Sequence, residues 1–244
     1  MPITSASFEK MFSKLFAPGA RRFCGGAMVV LLAAGTASFS QTQSGAPPTD
    51  TSTPTAETRN EFYGLFGKAY VPDKKIQPNG GFNTSPLSFQ SPSAYEAGLA
   101  HQFGTFLGRD LFLDIPIAVI PSISLNKASG GNPSSNYSAV FFTPGLRLMF
   151  RQGSKIRPWV AVGAGAAHLE GGDTLLDGST NFKSRILTTY AFEFGGGVDY
   201  RFNRRVSFRG QIRDFITASP PVGVTQTQGF SNHFPYSGGV VFHF

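Results

Sequence analysis

The chain has 244 residues, of which 41% are hydrophobic and only 14% are charged, and its formal net charge is +7. Soluble domains average about 25% charged residues, and no apolar run here reaches the roughly 18–20 residues that a transmembrane helix needs. The basic residues are spread along the chain, so their charge does not support a nucleic-acid partner. The apolar residues, among them 25 Phe, alternate with polar ones, which favours strands.

The N-terminal residues 1–40 are predicted to form a secretory signal segment. Arg21 and Arg22 precede the short apolar run 27–34, and small residues follow that run. These small residues allow cleavage between positions 37 and 38 or between positions 40 and 41. The protein is therefore expected to be exported from the cytoplasm.

Residues 41–59 contain no large apolar side chain and are rich in Pro, Thr and Ser. A segment of this composition cannot bury a core, so a disordered periplasmic spacer is expected. The single cysteine, Cys24, falls within the signal segment. The exported chain would therefore have no thiol for a disulfide or a metal site.

Residues 60–244 are predicted to form one domain, because a two-residue apolar period recurs throughout them. Eight segments show this period: 61–71, 95–107, 111–121, 137–151, 157–169, 186–202, 205–215 and 234–244. The connections alternate between long (72–94, 122–136, 170–185 and 216–233) and short (108–110, 152–156 and 203–204). Long loops on one side and tight turns on the other are typical of outer-membrane barrels. The sequence therefore predicts an all-β fold, an eight-stranded antiparallel up-and-down transmembrane β-barrel closed by its last strand.

The sixth segment assigns the two faces of the predicted barrel wall. Phe192 and Phe194 share one parity, while Glu193 and Asp199 share the other. An eight-stranded barrel is only just wide enough for its inward side chains, so the aromatic face should meet lipid and the charged face should line the lumen. The predicted polar network of the lumen consists of Lys68, Glu96, Asp114, Arg147, Glu193, Asp199, Arg209 and Arg213.

Two registers of the last turn are compatible with these faces. A three-residue turn places Asp199 opposite Arg209, and the other register places Glu193 opposite Arg213. Either register pairs an acid with a base, as expected for charges withdrawn from water. The network has two interpretations: a salt-bridged plug, which the narrow bore of eight strands favours, or the lining of a narrow gated pore.

Aromatic residues near the strand ends predict two membrane girdles. One girdle comprises Phe150, Trp159, Tyr200, Phe202, Phe242 and Phe244, and the other comprises Tyr137, Tyr190, Phe215, Phe234 and Tyr236. In the fifth segment, Trp159 and Val160 compete for the lipid side, so the faces of that strand stay open.

Segments 157–168, 194–202 and 206–214 resemble the small outer-membrane β-barrel family, the opacity, OmpA-barrel and OmpX-like group. The resemblance covers about residues 60–244. It implies an integral protein of a Gram-negative outer membrane, with outer-membrane lipid as a partner. The terminal Val240, Phe242 and Phe244 resemble the aromatic-ended signal recognised by the outer-membrane insertion machinery, which is a second implied partner. The family is functionally mixed and includes adhesins, anchoring barrels and small-solute or lipid-associated channels.

The four histidines, His101, His168, His233 and His243, lack the spacing of metal ligands, so no metal or cofactor is expected. His168 with Glu170, or His233 with Ser231, could supply parts of a hydrolase site, but no motif surrounds either pair.

The predicted function is therefore non-enzymatic: a structural or surface-interaction role through the long loops, toward an unknown extracellular ligand. A narrow pore or conduit for small solutes or apolar ligands is the alternative, and a lipid-modifying enzyme is a second alternative.

The substitution Phe244→Asp is expected to impair membrane assembly, because it removes the aromatic end of the closing strand. The inserted fraction can be measured from the mobility difference between boiled and unboiled samples on detergent gels. Phe182→Asp in a predicted loop is the matched control. Equal assembly of the two variants would contradict the prediction.

Overall fold

The structure is a computed structural model that describes residues 59–76, 85–128, 132–150, 154–182, 186–223 and 229–244. The predicted signal segment, and the predicted spacer except for Arg59, lie outside these residues. Among the residues described, no helix is long and apolar enough to cross a membrane.

Eleven strands form in the described part of the chain. They are β1 (Asn60–Tyr70), β2 (Lys74–Ile76), β3 (Ser85–Phe89), β4 (Ser93–Phe106), β5 (Arg109–Ala128), β6 (Asn136–Phe142), β7 (Gly145–Met149), β8 (Ile156–Gly171), β9 (Ile186–Arg201), β10 (Val206–Ala218) and β11 (Phe230–His243). The antiparallel pairings run β1–β4–β5, then through β6 and β7 to β8, and on through β9, β10 and β11 back to β1. Because β6 and β7 occupy one position in this ring, the predicted eight-stranded barrel is confirmed.

The first and last strands close the ring. Their register pairs Glu61 with His243 and Tyr70 with Phe234. At the very end, the Asn60 amide donates to the Phe244 carbonyl at 3.1 Å, and the Phe244 amide donates back at 3.0 Å. The barrel therefore has no open edge at its closure, which a wall surrounded by lipid requires. The end of the barrel that holds Asn60 and Phe244 is called the termini end below, and the opposite end is called the loop end.

The fourth wall position is split in two at Thr143 and Pro144. Pro144 has no amide hydrogen for a ladder bond, although its carbonyl accepts a bond from the Ala164 amide at 3.2 Å. The neighbouring strand approaches this break very closely, and a Cβ atom at Gly165 would lie 2.0 Å from the Phe142 carbonyl oxygen. Glycine at position 165 is therefore required by the bend in the wall.

The tight turn between β4 and β5 is one residue earlier than predicted. Phe106 pairs with Arg109, so the turn consists of Leu107 and Gly108, with φ angles of 50° and 69°. Two positive φ angles indicate the type I′ hairpin, whose twist matches that of the strands. The predicted turn 108–110 is wrong because the strand resumes directly after Gly108.

The predicted long loops contain more strand than the sequence indicated. The strand β5 continues to Ala128, beyond its predicted end at 121. The short strands β2 and β3 pair with each other, and β3 pairs with the extended part of β5. The wall therefore rises past the predicted membrane region at one side.

The outer face of the barrel is a belt of exposed apolar side chains. Phe66 and Val162 are both 58% exposed, and Phe192, Phe194, Phe208, Ile212 and Phe242 are also exposed. Soluble proteins rarely expose so large a contiguous apolar surface, whereas a wall facing lipid requires it. Three aromatics were wrongly predicted for the girdles: Tyr137, Trp159 and Phe215 are buried inside the barrel. Each of them has the inward parity of its strand.

The substitution Leu107→Asn is expected to stabilise the barrel by about 1 kcal/mol, because Asn tolerates a positive φ far better than Leu. The Leu107 side chain is 83% exposed, so its removal costs little packing. The urea midpoint of unfolding in lipid bilayers measures the effect. A lower midpoint than that of the wild type would contradict the assigned turn.

Candidate functional site

The lumen is filled by two layers of side chains. The layer nearer the termini end, called the charged layer, contains Glu61, Tyr63, Glu96, Asp114, Thr143, Arg147, Trp159, Glu193, Asp199, Arg209, Gln211 and Arg213, all of them buried. The layer nearer the loop end, called the apolar layer, contains Leu87, Ile120, Ile123, Tyr137, Phe141, Leu169, Phe215 and Val222.

Arg209 makes the most complete ion pair of the charged layer. Its Nε donates to Asp199 Oδ1 at 2.8 Å, and its Nη2 donates to Asp199 Oδ2 at 2.8 Å and to Glu61 Oε2 at 3.1 Å. The same Glu61 oxygen also accepts a hydrogen bond from Arg147. The backbone register pairs Asp199 with Arg209, which is the first of the two predicted registers.

Arg213 binds three carboxylates at once. Its Nη2 lies 3.1 Å from Asp114 Oδ2, its Nε lies 3.1 Å from Glu96 Oε1, and its Nη1 pairs with Glu193. In the backbone register, Arg213 lies opposite Gly195, and a Cβ at that glycine would come within 2.8 Å of Arg213 Cγ. One register therefore serves both predicted acid–base pairs, because a glycine leaves space for the arginine stem.

Trp159 is the aromatic centre of the charged layer. The guanidinium carbons of Arg147, Arg209 and Arg213 lie 5.6, 5.2 and 5.4 Å from its ring, so all three are within cation–π distance. The indole N–H donates to Asp199 Oδ1 at 3.1 Å. The sequence left the orientation of this residue open.

A usable signal for Trp159 was present on the neighbouring strand. A Cβ at Gly197 would lie 2.6 Å from the indole Cζ2. Gly195 and Gly197 share the inward parity of β9, and their missing side chains leave the volume that a large inward residue on β8 must fill.

Four further members of the charged layer were not included in the predicted network, although the alternation along their strands places Thr143 and Gln211 on the inward face. They are Glu61, Tyr63, Thr143 and Gln211. The Tyr63 hydroxyl donates to Asp114 Oδ1 at 3.0 Å, Gln211 Nε2 donates to Glu96 Oε2 at 2.7 Å, and Thr143 donates to Glu193. Both parities of the first strand carry aromatic residues, so its inward face was ambiguous.

Lys68 was wrongly assigned to the lumen. It shares the outward parity of Phe66 and Tyr70, and its side chain is exposed. The parity of β1 is set by Glu61, which is buried against the two arginines. An odd-numbered acid inside the barrel requires the even-numbered Lys68 to lie outside.

The seven other predicted members of the network, Glu96, Asp114, Arg147, Glu193, Asp199, Arg209 and Arg213, all have buried side chains inside the barrel. Val240, Phe242 and Phe244 lie on the outward parity of β11 near the termini end. Their role as an insertion signal stays a prediction.

At the loop end, three long connections are joined to one another by hydrogen bonds. The Ser134 amide donates to the Val222 carbonyl and the Ser135 amide donates to the Thr174 carbonyl, both at 2.9 Å. Asn181 Nδ2 donates to Ser134 Oγ at 2.8 Å. The joined residues 132–135, 172–182 and 219–223 are called the loop platform.

The hairpin of β2 and β3 is tied to the opposite side of the loop end. The Lys74 amine donates to the Phe230 carbonyl at 2.8 Å and to Ser219 Oγ at 3.2 Å. Burial lowers the pKa of the Lys74 amine to about 8. These contacts link the hairpin to both strands that flank the last long loop.

The histidine pairs that the sequence raised as parts of a hydrolase do not form such a site. His168 Nδ1 contacts Thr188 Oγ1 at 3.0 Å on the outer face, and His233 Nε2 contacts the Tyr137 hydroxyl at 3.0 Å in the apolar layer. Neither of these two contacts joins the histidine to both a nucleophile and a carboxylate.

A different serine and histidine meet near the termini end. Ser207 Oγ lies 2.8 Å from His243 Nε2, and His243 Nδ1 lies 3.6 Å from Glu61 Oε1. These contacts run from a serine to a histidine to a carboxylate, as in a catalytic triad, but the Ser207 hydroxyl is fully buried. The Glu61 carboxylate is also engaged by two arginines, so this arrangement fits the packing of the lumen better than catalysis.

No protein-family model and no curated protein matches the chain. Among solved structures, Neisserial surface protein A (NspA) is similar at 12% identity, over 76% of this chain and 97% of that chain, with a TM-score of 0.48. The outer membrane protein OprG of Pseudomonas aeruginosa is similar at 13% identity, over 77% and 97%, with a TM-score of 0.48. The outer membrane protein AlkL is similar at 12% identity, over 83% and 97%, with a TM-score of 0.46.

The class of the protein follows from its own geometry. The closed antiparallel ring, the apolar outer belt and the ion-paired lumen together define a small β-barrel of the outer-membrane type.

The substitution Arg209→Met is expected to destabilise the barrel by about 3–5 kcal/mol, because it leaves buried carboxylates without their cation. Adding Asp199→Asn to the same chain should recover part of that loss. The free energy of unfolding in urea, followed by circular dichroism in bilayers, gives both values. A double variant less stable than Arg209→Met would show that the two residues do not act as a pair.

Proposed function

We propose that this protein is a non-enzymatic integral protein of a bacterial outer membrane, which holds an ordered loop surface outside the cell for contact with an extracellular ligand. The observation that carries the proposal is the combination of a filled lumen with loops that are tied together. In this proposal the barrel anchors the protein in the membrane, and its loops contact the extracellular ligand.

The filled lumen argues against transport as the main role. Side chains that line a water-filled pore are accessible to water, whereas Arg147, Trp159, Arg209 and Arg213 are at most 2% exposed. Their ion pairs connect β1, β4, β5, β7, β9 and β10 across the bore. Opening a path at this level would require several buried ion pairs to separate.

The loop platform supports a role in binding, because its backbone is held in place while several side chains project from it. Phe182 is 91% exposed and Leu176 is 37% exposed. Ser179 donates two hydrogen bonds to the exposed Asp177 carboxylate, at 2.8 and 2.6 Å from its amide and hydroxyl. These bonds and one involving Asn132 hold the pKa of Asp177 at about 2, so the platform presents a fixed negative charge between apolar side chains.

A second candidate function, a conduit for apolar ligands, is favoured by one observation. The half of the lumen nearer the loop end is lined by the apolar layer, in which Phe141 stacks on Phe215 with ring centroids 4.5 Å apart. An apolar guest would have to separate these rings and would then meet the charged layer beneath them. The conduit therefore requires a larger rearrangement than binding at the loop platform does.

Replacing Leu176 and Phe182 together by Ser is expected to lower binding of the intact barrel to its extracellular surface or ligand by roughly tenfold, since both are exposed apolar side chains of the loop platform and a few residues carry most of the binding energy of an interface. Adhesion of cells that display the variant measures the effect. The anchoring bonds of Ser134 and Asn181 are unchanged in this variant, so the platform should stay folded.

The control is Phe202→Ser, which removes an exposed aromatic at the termini end and should leave adhesion unchanged. Equal adhesion of the loop variant and the wild type would contradict the binding role. A steady conductance of the refolded protein in planar bilayers would contradict the sealed lumen and favour the conduit.

A further inference from the structure

At the termini end, the lumen holds a buried arginine with N–H donors that the neighbouring residues do not satisfy. Arg157 lies on the inward face of β8 and is only 5% exposed. Its Nε and Nη2 atoms are buried and make no hydrogen bond with any described residue, and the same is true of Arg201 Nε. A buried charge without a partner is costly, which is why such groups are almost always paired.

The two arginines are neighbours on adjacent strands. The register pairs Arg157 with Asp199, and the Arg201 amide donates to the Lys155 carbonyl at 2.7 Å. Positions 157 and 201 are therefore diagonal on the same inward face, with Cβ atoms no more than about 7–8 Å apart. Two long side chains at this separation can bind one small group between them.

The nearest carboxylates are already occupied by other donors. Both oxygens of Asp199 accept hydrogen bonds from Arg209, at 2.8 Å each, and Oδ1 also accepts the Trp159 indole N–H. Glu61 Oε2 is shared by Arg147 and Arg209. The hydrogen-bond acceptors of the acids near Arg157 are therefore used by Arg147 and Arg209, which lie deeper in the lumen.

Further polar groups lie at the same end of the barrel. Ser207 pairs with Arg201 in the backbone register, and its hydroxyl contacts His243 Nε2 at 2.8 Å. Lys155, Arg204 and Arg205 are exposed at this end of the barrel. Their positive charges would attract anions toward this end.

We propose that Arg157 and Arg201 form a binding site for a phosphate-class oxyanion at the termini end of the lumen. The guanidinium group presents paired N–H donors in a plane, the geometry that phosphate oxygens accept best. The ligand is either free phosphate or the phosphate of a lipid head group, since both carry the same oxygens.

Trp159 provides a direct readout, because it is the single tryptophan of the chain and shares the inward face of β8 with Arg157. The intact refolded protein in detergent is titrated with inorganic phosphate, and with chloride at matched ionic strength, while indole fluorescence is recorded. A saturable change with phosphate alone is expected. Arg157→Gln and Arg201→Gln should each weaken phosphate binding roughly tenfold, the effect of losing one charged hydrogen-bond pair.

Arg204→Gln is the matched control, because it removes an equal charge from the same end outside the lumen. It should change the phosphate midpoint less than twofold. Similar weakening by Arg204→Gln and Arg157→Gln would overturn the site in favour of a diffuse basic field. A response to chloride equal to that of phosphate would also overturn it.

A stability measurement separates binding from a structural role. In phosphate-free buffer, Arg157→Gln should unfold at the wild-type urea midpoint or above it, since it removes a buried guanidinium whose Nε and Nη2 make no hydrogen bond. A fall in the urea midpoint as large as that of Arg209→Met would overturn the proposal.

Vesicles then identify whether the ligand is free phosphate or a lipid head group. Phosphatidylglycerol vesicles and phosphatidylcholine vesicles are compared at a fixed concentration of free phosphate. Loss of the indole response to free phosphate with the anionic vesicles alone supports the site and assigns it to lipid head groups.

Discussion

The structure depends on the ion pairs that join Glu61, Asp199, Arg147 and Arg209 across the bore. Eight strands enclose too little space for bulk water around charged groups, so the charges in the middle of the bore need partners on other strands. Breaking one such pair is costly, although an apolar core of equal volume would stabilise the barrel about as well. The network therefore contributes most as a constraint on register: a shift by one residue would turn Asp199 and Arg209 outward into lipid, where neither could be solvated.

The same constraint explains where the glycines lie. Gly195 and Gly197 face the lumen beside Arg213 and Trp159, and a Cβ at either position would collide with those side chains. The space inside an eight-stranded barrel is limited, so a large inward residue on one strand requires a small one on the next. The missing side chains of Gly195 and Gly197 leave the space that an arginine stem and an indole occupy.

How far the sequence predicts the fold depends on how unambiguous each strand is. In β9 and β10, apolar and polar residues alternate, so the faces of both strands were predictable, and the register of Asp199 against Arg209 is one of the two that the sequence left open. In β1 both parities are aromatic, and the position of Lys68 was therefore predicted wrongly. The partners of Glu61 and Arg147 come from strands far apart in the chain, and only closure of the ring brings them together. The bonds within the loop platform also lack a periodic signal, because backbone carbonyls supply most of the acceptors.

Two arginines of the lumen show how position, more than residue type, decides the role of a buried charge. Arg209 and Arg157 both face Asp199, one across the pair of β9 with β10 and the other across the pair of β9 with β8. A carboxylate has two oxygens, and Arg209 engages both of them in a bidentate pair. Arg157 is thereby left nearer the termini end with its Nε and Nη2 unbonded, and its strand neighbours Lys155 and Trp159 supply no carboxylate. An apolar residue at position 157 would serve a neutral plug better, whereas a guanidinium with unbonded donors suits an anion that reaches it from the termini end.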